Sequence, residues 1–379
     1  MAPTGLLLVG GEVLDPSQGV RGRLDVALRD GRVAAIGSSL PRDGYEVVDV
    51  GGKLVIPGLI DQHAHCFIGA SDLGVRTDAI CASTGVTTFI DGGSAGAGTF
   101  EGMREFILSR SRVRILAFLN ISAVGLTYLE VGELNHLAYA DPDAAARVAR
   151  EHRDLILGIK VRQQKEIVGD AGLEPLRRAI RAAEVAGGMR VMVHVTNPAA
   201  PLEDLLALLR PGDIVSHFLH GRGDGILDAN GKVKAQVREA RARGVLFDVA
   251  HGRSHVNFPV ARAAIEQGFL PDTISSDLTT GGAAGIVKDL PTTLSKFLNL
   301  GMPLEDVVRA ATATPARAIG REGELGTLRP GAGADVAVFD LEEGAFDFED
   351  ADGQRLSGRR RLAPYLTVKD GQVWWRRAP

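Results

Sequence analysis

Cysteine is scarce in this chain, because its 379 residues include only Cys66 and Cys81. Two cysteines cannot supply the disulfide framework on which small secreted domains depend. The opening segment MAPTGLLLVGGEVLD has no basic residues, and glycines and acids interrupt its apolar stretch, so it is unlike a secretory signal peptide. We therefore expect a cytoplasmic protein in a reducing compartment.

Long apolar runs and an excess of either charge are also missing. No apolar stretch reaches the roughly 18 residues that a membrane-spanning helix needs. The 43 Lys and Arg residues nearly balance the 47 Asp and Glu residues, and short basic runs at 359–361 and 376–377 are typical of solvated surface. We expect a small-molecule substrate as the partner rather than nucleic acid or a membrane, and homo-oligomer formation stays open.

Short strands are predicted at both ends of the chain. The segments LLLVGGEVLD and RLDVALRDGRVAAIG alternate apolar and polar residues, as do GADVAVFDLE and LAPYLTVKDGQVWWRR near the other end. Turn signals such as Asp30-Gly31 separate the strands. The pattern predicts one small β-sandwich domain formed by residues 1–53 together with residues 326–379.

The middle of the chain, residues 54–325, alternates short apolar strands with helix-like segments such as EPLRRAIRAAEVAGG and VARAAIEQG. Such βα units favour a parallel sheet. Eight of them in about 270 residues favour an α/β fold of the (β/α)8 TIM barrel type, with a doubly wound open sheet as the alternative. The predicted strands lie near 54–60, 87–90, 113–119, 155–161, 190–195, 213–218, 245–249 and 273–276.

Polar residues lie where the predicted barrel strands end, which is where TIM-barrel enzymes carry their active sites. His63 and His65 are one residue apart and therefore project to the same side of a strand. A single histidine here could be structural, and Asp277 alone could cap a helix. Together, the histidines and the aspartate from separate strands predict a site for zinc or a similar metal. The strand-end residues are His63, His65, Lys160, Arg162, His194, His217, His220, His251 and Asp277.

Lys160 lies between two apolar residues of a strand whose alternate face should point into the barrel. Burial and nearby positive charge both lower the pKa of a lysine. A neutral amine can react with carbon dioxide to give a carbamate, an anion whose two oxygens could bridge two metal ions. An ion pair between Lys160 and an acid of a neighbouring strand is the alternative.

The strand-end residues resemble those of the amidohydrolase superfamily in its binuclear subtype. That pattern is HxH on strand one, a carboxylated lysine on strand four, histidines on strands five and six, and an aspartate on strand eight. The segments VIPGLIDQHAH and LGTLRPGAGADVAVFD also look like the superfamily's signatures. The matching residues here are His63, His65, Lys160, His194, His217 and Asp277.

The resemblance implies two divalent metal ions, with zinc expected, and N6-carboxylation of Lys160. It further implies a metal-bridging hydroxide as the nucleophile, with Asp277 as general base and then general acid. Such a site would be absent from a relative that serves only as a scaffold. All six matching residues are present, which argues against a non-catalytic scaffold.

Within the superfamily, GIKVR, SHFLHG and PDTISSDL resemble the deacetylase-type branch, which is often loosely labelled dihydroorotase or adenine deaminase. This resemblance implies removal of an acyl group, expected to be acetyl, from a small N- or O-acylated carboxylic acid. Arg162, His220 and His251 are the predicted substrate-binding residues, with an ordinary ion pair of Arg162 as the alternative.

Hydrolysis of a cyclic amide and purine deamination are the alternative reactions. Phe67 stands where dihydroorotases usually carry a substrate-binding arginine, and Lys160 argues against the adenosine-deaminase type. One departure from the expected branch is visible after predicted strand seven, where residues 255–258 read HVNF instead of a Ser-Phe-x-Phe pattern.

Overall fold

A computed structural model describes residues 4–378 of the chain. The strands are β1 Gly5–Asp15, β2 Val20–Arg29, β3 Arg32–Gly37, β4 Tyr45–Asp49, β5 Leu54–Pro57, β6 Leu59–Ala64, β7 Val86–Asp91, β8 Arg114–Asn120, β9 Ile156–Arg162, β10 Arg190–His194, β11 Ile214–Ser216, β12 Leu246–Asp248, β13 Val336–Glu349, β14 Arg355–Lys369 and β15 Gln372–Arg376. The α-helices are α1 Thr77–Ala82, α2 Phe100–Phe106, α3 Pro142–Glu151, α4 Lys165–Val168, α5 Glu174–Val185, α6 Leu202–Leu208, α7 Ala235–Ala242, α8 Phe258–Glu266, α9 Thr280–Ala283, α10 Leu290–Asn299, α11 Leu304–Arg309 and α12 Ala313–Ala318. Short 3-10 helices span Leu108–Arg110, Leu137–Tyr139 and Gly169–Ala171.

Strands from both ends of the chain form one sheet, in the order β15-β14-β13-β5-β1-β2-β3, with β4 also paired to β1. β5 joins the two ends, because it pairs in parallel with β1 and antiparallel with β13. Side chains from both ends, among them Leu8, Val26, Val336 and Val368, fill a hydrophobic core of their own. A small β-domain built from both termini is therefore confirmed, whereas the domain boundaries 1–53 with 326–379 and 54–325 stay a prediction.

Seven parallel strands of the described residues form the barrel, in the order β12-β11-β10-β9-β8-β7-β6. The eighth predicted strand is present as two isolated parallel bridges, from Thr273 to Asp248 of β12 and from Leu278 to Ala64 of β6. These bridges fill the gap between the first and last strands, so the ring is nearly closed. The TIM barrel is confirmed, and the doubly wound alternative is excluded because its edge strands would not meet.

One predicted strand is wrong. The strand expected at 54–60 is two strands in different sheets, because β5 ends at Pro57 and β6 begins at Leu59. Gly58 lies between them, and a Cβ atom at this position would be only 2.2 Å from Oγ1 of Thr87. The glycine lets the chain pass close to β7 as it enters the barrel, a change of partner that apolar periodicity does not reveal.

Helices follow the barrel strands largely where they are predicted. The segment EPLRRAIRAAEVAGG contains α5, which has Pro175 in its first turn and ends before a pair of glycines. The segment VARAAIEQG overlaps α8 and extends two residues beyond its end at Glu266. Asn257 caps this helix, because its side-chain oxygen accepts a hydrogen bond from the N–H of Val260 at 3.0 Å. Between residues 4 and 378, no helix combines the length and the hydropathy that crossing a bilayer requires.

Candidate metal centre and active site

The carboxyl ends of the barrel strands bring the six predicted metal ligands together. β6 contains His63 and is directly followed by His65, while β9 contains the lysine and β10 ends at His194. His217 directly follows β11, and Asp277 directly precedes Leu278, which forms the second bridge of the eighth strand. All six side chains are buried, with at most 6% exposure. The six residues are His63, His65, Lys160, His194, His217 and Asp277.

The first group of possible ligands consists of His63, His65 and Asp277, which offer donor atoms within 4.8 Å of one another. Nε2 of His65 is 3.2 Å from Oδ1 of Asp277, and Nε2 of His63 is 3.8 Å from the same oxygen. Nζ of Lys160 is 3.2 Å from Nε2 of His63. Imidazole nitrogens and a carboxylate oxygen at these separations suit zinc and related ions.

The second group consists of His194, His217 and His255, again with donor atoms within 4.8 Å of one another. Nε2 of His194 is buried and has no hydrogen-bond partner in the described chain, as expected of a nitrogen that binds an ion. Sequence reasoning missed His255, because it lies in the loop between β12 and α8, where strand periodicity gives no guidance. The only signal was the departure of HVNF from the expected pattern.

Hydrogen bonds on the outer side of the rings determine which nitrogen faces the centre. Ser94 donates its hydroxyl proton to Asp91 at 2.8 Å, so its oxygen accepts from Nδ1 of His65 at 2.8 Å. Nδ1 of His217 donates to the carbonyl oxygen of Ala250 at 2.7 Å. In both rings Nδ1 carries the proton, and Nε2 keeps the lone pair that a metal ligand needs.

Burial and mutual repulsion disfavour the charged forms of the histidines and of Lys160. Burial lowers the pKa of His63, His194 and His217 well below the usual value for histidine, and the nearby Lys160 and His255 lower it further. Burial also lowers the pKa of Lys160 to about 7. Neutral imidazole is the form that binds metal ions, so the electrostatic environment of these histidines suits metal binding.

Two possible ligands have a left-handed backbone, with φ of 68° at His217 and 47° at Asp277. Such a conformation costs a non-glycine residue on the order of 1 kcal/mol or more, and it is typical of functional sites. Gly252 packs directly against Asp277, because a Cβ atom on this glycine would be 2.4 Å from Oδ2 of the aspartate. The surrounding structure therefore holds the carboxylate in a defined place.

A cavity of about 200 Å³ lies over the two groups and opens at the barrel mouth. This volume suits a small molecule rather than a macromolecule. Apart from the ligand groups and four uncharged polar residues, the lining combines three leucines with three arginines. They are Leu73, Leu126, Leu129, Arg162, Arg222 and Arg253.

The three predicted substrate-binding residues have different surroundings. Arg162 lines the cavity, but its Nε and Nη2 donate to the carboxylate of Glu133 at 2.7 and 2.5 Å. His220 and His251 are buried and lie outside the cavity lining. Nε2 of His251 instead lies 2.9 Å from Nζ of Lys296. The structure thus shows the ion pair that was the alternative for Arg162, and substrate binding by all three residues stays a prediction.

The amidohydrolase family model matches residues 54–373, which include every one of these site residues. The chain belongs to the amidohydrolase family. It is therefore a hydrolytic enzyme, and the predicted family resemblance is confirmed. A deacetylase of Agrobacterium fabrum is 36% identical over 342 residues, which are 89% of this chain and 83% of that protein. A deacetylase of Brucella anthropi is 37% identical over 90% of this chain and 85% of that protein.

Two solved structures of amidohydrolases are similar over nearly their whole length. A crystal structure described as an adenine deaminase has a TM-score of 0.92 at 28% identity, covering 98% of this chain and 100% of that chain. A crystal structure described as a dihydroorotase has a TM-score of 0.90 at 33% identity, covering 99% and 100%. These neighbours confirm the barrel with its terminal β-domain.

Proposed function

We propose that this amidohydrolase removes an acyl group, expected to be acetyl, from a small N- or O-acylated carboxylic acid. The observation that carries the proposal is the pair of adjacent ligand groups beneath a small cavity whose rim presents Arg222 and Arg253. The relatives named deacetylase support the choice of an acyl group. A cytoplasmic location and homo-oligomer formation stay predictions from the sequence.

Two divalent metal ions, expected to be zinc, fit the residues present. The donor set of neutral imidazoles and a carboxylate suits them, and the unpartnered Nε2 of His194 supports an ion at the second group. When bound, such ions make water nucleophilic near neutral pH and polarise a carbonyl group. The residues proposed to hold them are His63, His65 and Asp277 for one ion, His194 and His217 for the other, and N6-carboxylated Lys160 for both.

The surroundings of Lys160 support its carboxylation. The side chain is 1% exposed, and no carboxylate of residues 4–378 lies within ion-pair distance of Nζ, so the ion-pair alternative loses support. A neutral amine adds to carbon dioxide, forming an N–C bond and releasing one proton. Gly93 makes room for the lysine stem, because a Cβ atom on it would be 2.5 Å from Cβ of Lys160.

Asp277 is the proposed proton carrier. Its carboxylate lines the cavity and lies beside His65, so it borders both the ligand groups and the space for the substrate. Asp277 would accept a proton from the attacking water and deliver it to the leaving nitrogen or oxygen. One residue would thus serve as general base and then as general acid.

The carboxylate of the substrate is expected at the rim of the cavity. Arg222 and Arg253 are exposed there, and within residues 4–378 neither guanidinium group forms an ion pair. Arg162, in contrast, is already paired with Glu133. Guanidinium groups bind carboxylates through two parallel hydrogen bonds, so Arg222 and Arg253 are the better candidates for the carboxylate clamp.

A substrate screen tests the proposed function. Purified, zinc-loaded protein is assayed on N-acetylated amino acids and O-acetylated hydroxy acids of both configurations. Each acid is compared with its neutral methyl amide, which keeps the acyl group but removes the charge. We expect hydrolysis of an acylated acid and much weaker hydrolysis of its neutral partner. Dihydroorotate, hydantoin and adenine belong in the same screen, and a preference for one of them would refute the deacylase proposal.

Replacing Arg222 or Arg253 with alanine tests the carboxylate clamp. A hydrogen bond to a charged group contributes about 1.5–3 kcal/mol, so each replacement should lower kcat/KM for the acid by about 10- to 100-fold. The change should lie mainly in KM. The matched control is Arg42→Ala, which removes an exposed arginine of the terminal β-domain. Equal losses for the acid and its neutral methyl amide would contradict the clamp.

A further inference from the structure

We propose that His255 is a third imidazole ligand of the second metal ion, beside His194 and His217. This inference rests on the proposed function, which supplies the two ions. His255 lies outside the ligand pattern implied by the family resemblance. It stands in the HVNF segment, where this chain departs from the pattern expected of its branch. The additional imidazole is therefore suggested by the geometry of this chain.

The ring of His255 lies about as close to the rings of His194 and His217 as those two rings lie to each other. Its centroid is 4.1 Å from the ring of His217 and 4.9 Å from the ring of His194, and those two rings are 4.2 Å apart. The side chain is 16% exposed and so is largely withdrawn from water. Three rings with donor atoms within 4.8 Å of one another are close enough to share one ion.

The orientation of the ring also matches that of the other histidines. Nδ1 of His255 is 2.9 Å from Oγ1 of Thr196, which leaves Nε2 for the centre. Nε2 is 3.7 Å from Oδ2 of Asp277, too far for a hydrogen bond. His65 and His217 likewise use Nδ1 for an oxygen partner. Metal-binding histidines are generally oriented by such a partner on the second nitrogen.

The loop that carries His255 is anchored on both sides. On one side, Asn257 caps α8, and its Nδ2 donates to Asp352 in the turn between β13 and β14 at 2.8 Å. On the other side, a Cβ atom on Gly252 would be 2.5 Å from Cδ2 of His255. Packing against Gly252 places the ring, and the hydrogen bond from Asn257 to the terminal β-domain holds the loop that carries it.

Three protein ligands with an open position are typical of catalytic zinc sites. With His255, the second ion has three imidazole ligands even while Lys160 is not carboxylated. We therefore expect retention of the second ion to depend more strongly on His255 than on dissolved carbon dioxide.

Metal retention tests this inference directly. Wild-type protein, His255→Ala and the exposed-histidine control His136→Ala are loaded with zinc and dialysed against graded chelator. Zinc per chain is then measured by mass spectrometry, and cobalt-loaded samples are compared by visible absorption. We expect wild type and His136→Ala to retain two ions at chelator concentrations that leave one in His255→Ala. Affinity for the lost ion should fall at least about 10- to 100-fold, the range found when only a ligand's supporting partner is removed.

Two further variants keep the inference falsifiable. His255→Asn retains a polar side chain and replaces the alanine variant if circular dichroism shows that His255→Ala does not fold. Thr196→Val removes the hydroxyl that orients the ring, and a smaller loss of zinc affinity is expected. Unchanged zinc affinity and cobalt absorption in folded His255 variants would overturn the inference and leave the proposed function standing. A wild-type protein that binds no divalent ion would overturn both.

Discussion

Lys160 and Lys296 are both buried near the carboxyl ends of the barrel strands, but their partners differ. Each is 1% exposed, and burial lowers the pKa of each to about 7. Nζ of Lys296 donates to the carbonyl oxygens of Ile286 and Glu349 and lies near Nε2 of His251, each at 2.9 Å. These three contacts tie together segments that are distant in the sequence.

The environment of Lys160 offers much less to a charged group. In the described chain, its Nζ has one hydrogen-bonding neighbour, Nε2 of His63 at 3.2 Å. An ammonium group has three donors, and Lys296 has an acceptor for each of them. The difference shows how two equally buried lysines can be suited to different roles. The amine of Lys296 is bound as a structural cross-link, whereas the amine of Lys160 has few partners, which suits its proposed carboxylation.

Replacing Lys160 with alanine should have the largest effect. Metal ions stabilise the charge of the transition state by several kcal/mol, so kcat/KM should fall by about 1000-fold when an ion is lost. Zinc measured by mass spectrometry should drop below two ions per chain. Lys232→Ala, which removes an exposed lysine, is the control and should behave like wild type. Full activity with full metal content in Lys160→Ala would refute the carbamate role.

Replacing Lys296 with methionine should lower the stability of the fold without abolishing catalytic activity. The change leaves two carbonyl oxygens and a ring nitrogen without a donor, at about 1 kcal/mol or more each, so the free energy of unfolding should fall by about 3 kcal/mol. Urea denaturation of metal-free protein measures this. Lys160→Met is the matched comparison and should cost less, because it removes an amine with few acceptors. Equal losses would mean that the two environments do not differ energetically.

The free energy of unfolding should also depend on pH differently in the wild type and in Lys296→Met, and this is the smallest of the expected effects. The folded-state pKa of Lys296 is about 7, below the value of 10.5 for an unperturbed lysine. Between these values the unfolded chain binds a proton that the folded chain has released, so the wild type gains stability as pH rises. Its advantage over Lys296→Met should grow from pH 7 to 9 by about 1 kcal/mol per pH unit. A constant difference would show that the lysine stays charged when folded.

Much of the candidate site was predictable because parallel strands share one edge. His63 and His65 follow from the alternation of a strand, and Asp277 from the end of the eighth. Residues in loops had no such guide. Glu133 pairs with Arg162 from a position 29 residues away. Nothing in the sequence relates these two residues, so the sequence left the ion pair and the clamp as equal alternatives. The structure shows the ion pair, and substrate binding by Arg162 stays a prediction.

The strand predicted at 54–60 and the position of His255 also show what strand periodicity alone cannot predict. Apolar residues on both sides of Gly58 read as one strand, although the chain changes sheets there. His255 reaches the second ligand group because a glycine, a helix cap and a contact with the terminal β-domain place its loop. Each of these contacts joins residues that local periodicity leaves unrelated.

By itself, the sequence determined the barrel, the two-ended β-domain and the strand-end residues that meet at the barrel mouth. These features follow from the period of two along a strand and from the common edge of parallel strands, which are local rules. Only the tertiary structure decided that Arg162 is paired, that His251 contacts Lys296 and that His255 joins the second group. Such partnerships depend on loop conformation and on contacts between distant segments, and no local pattern encodes them.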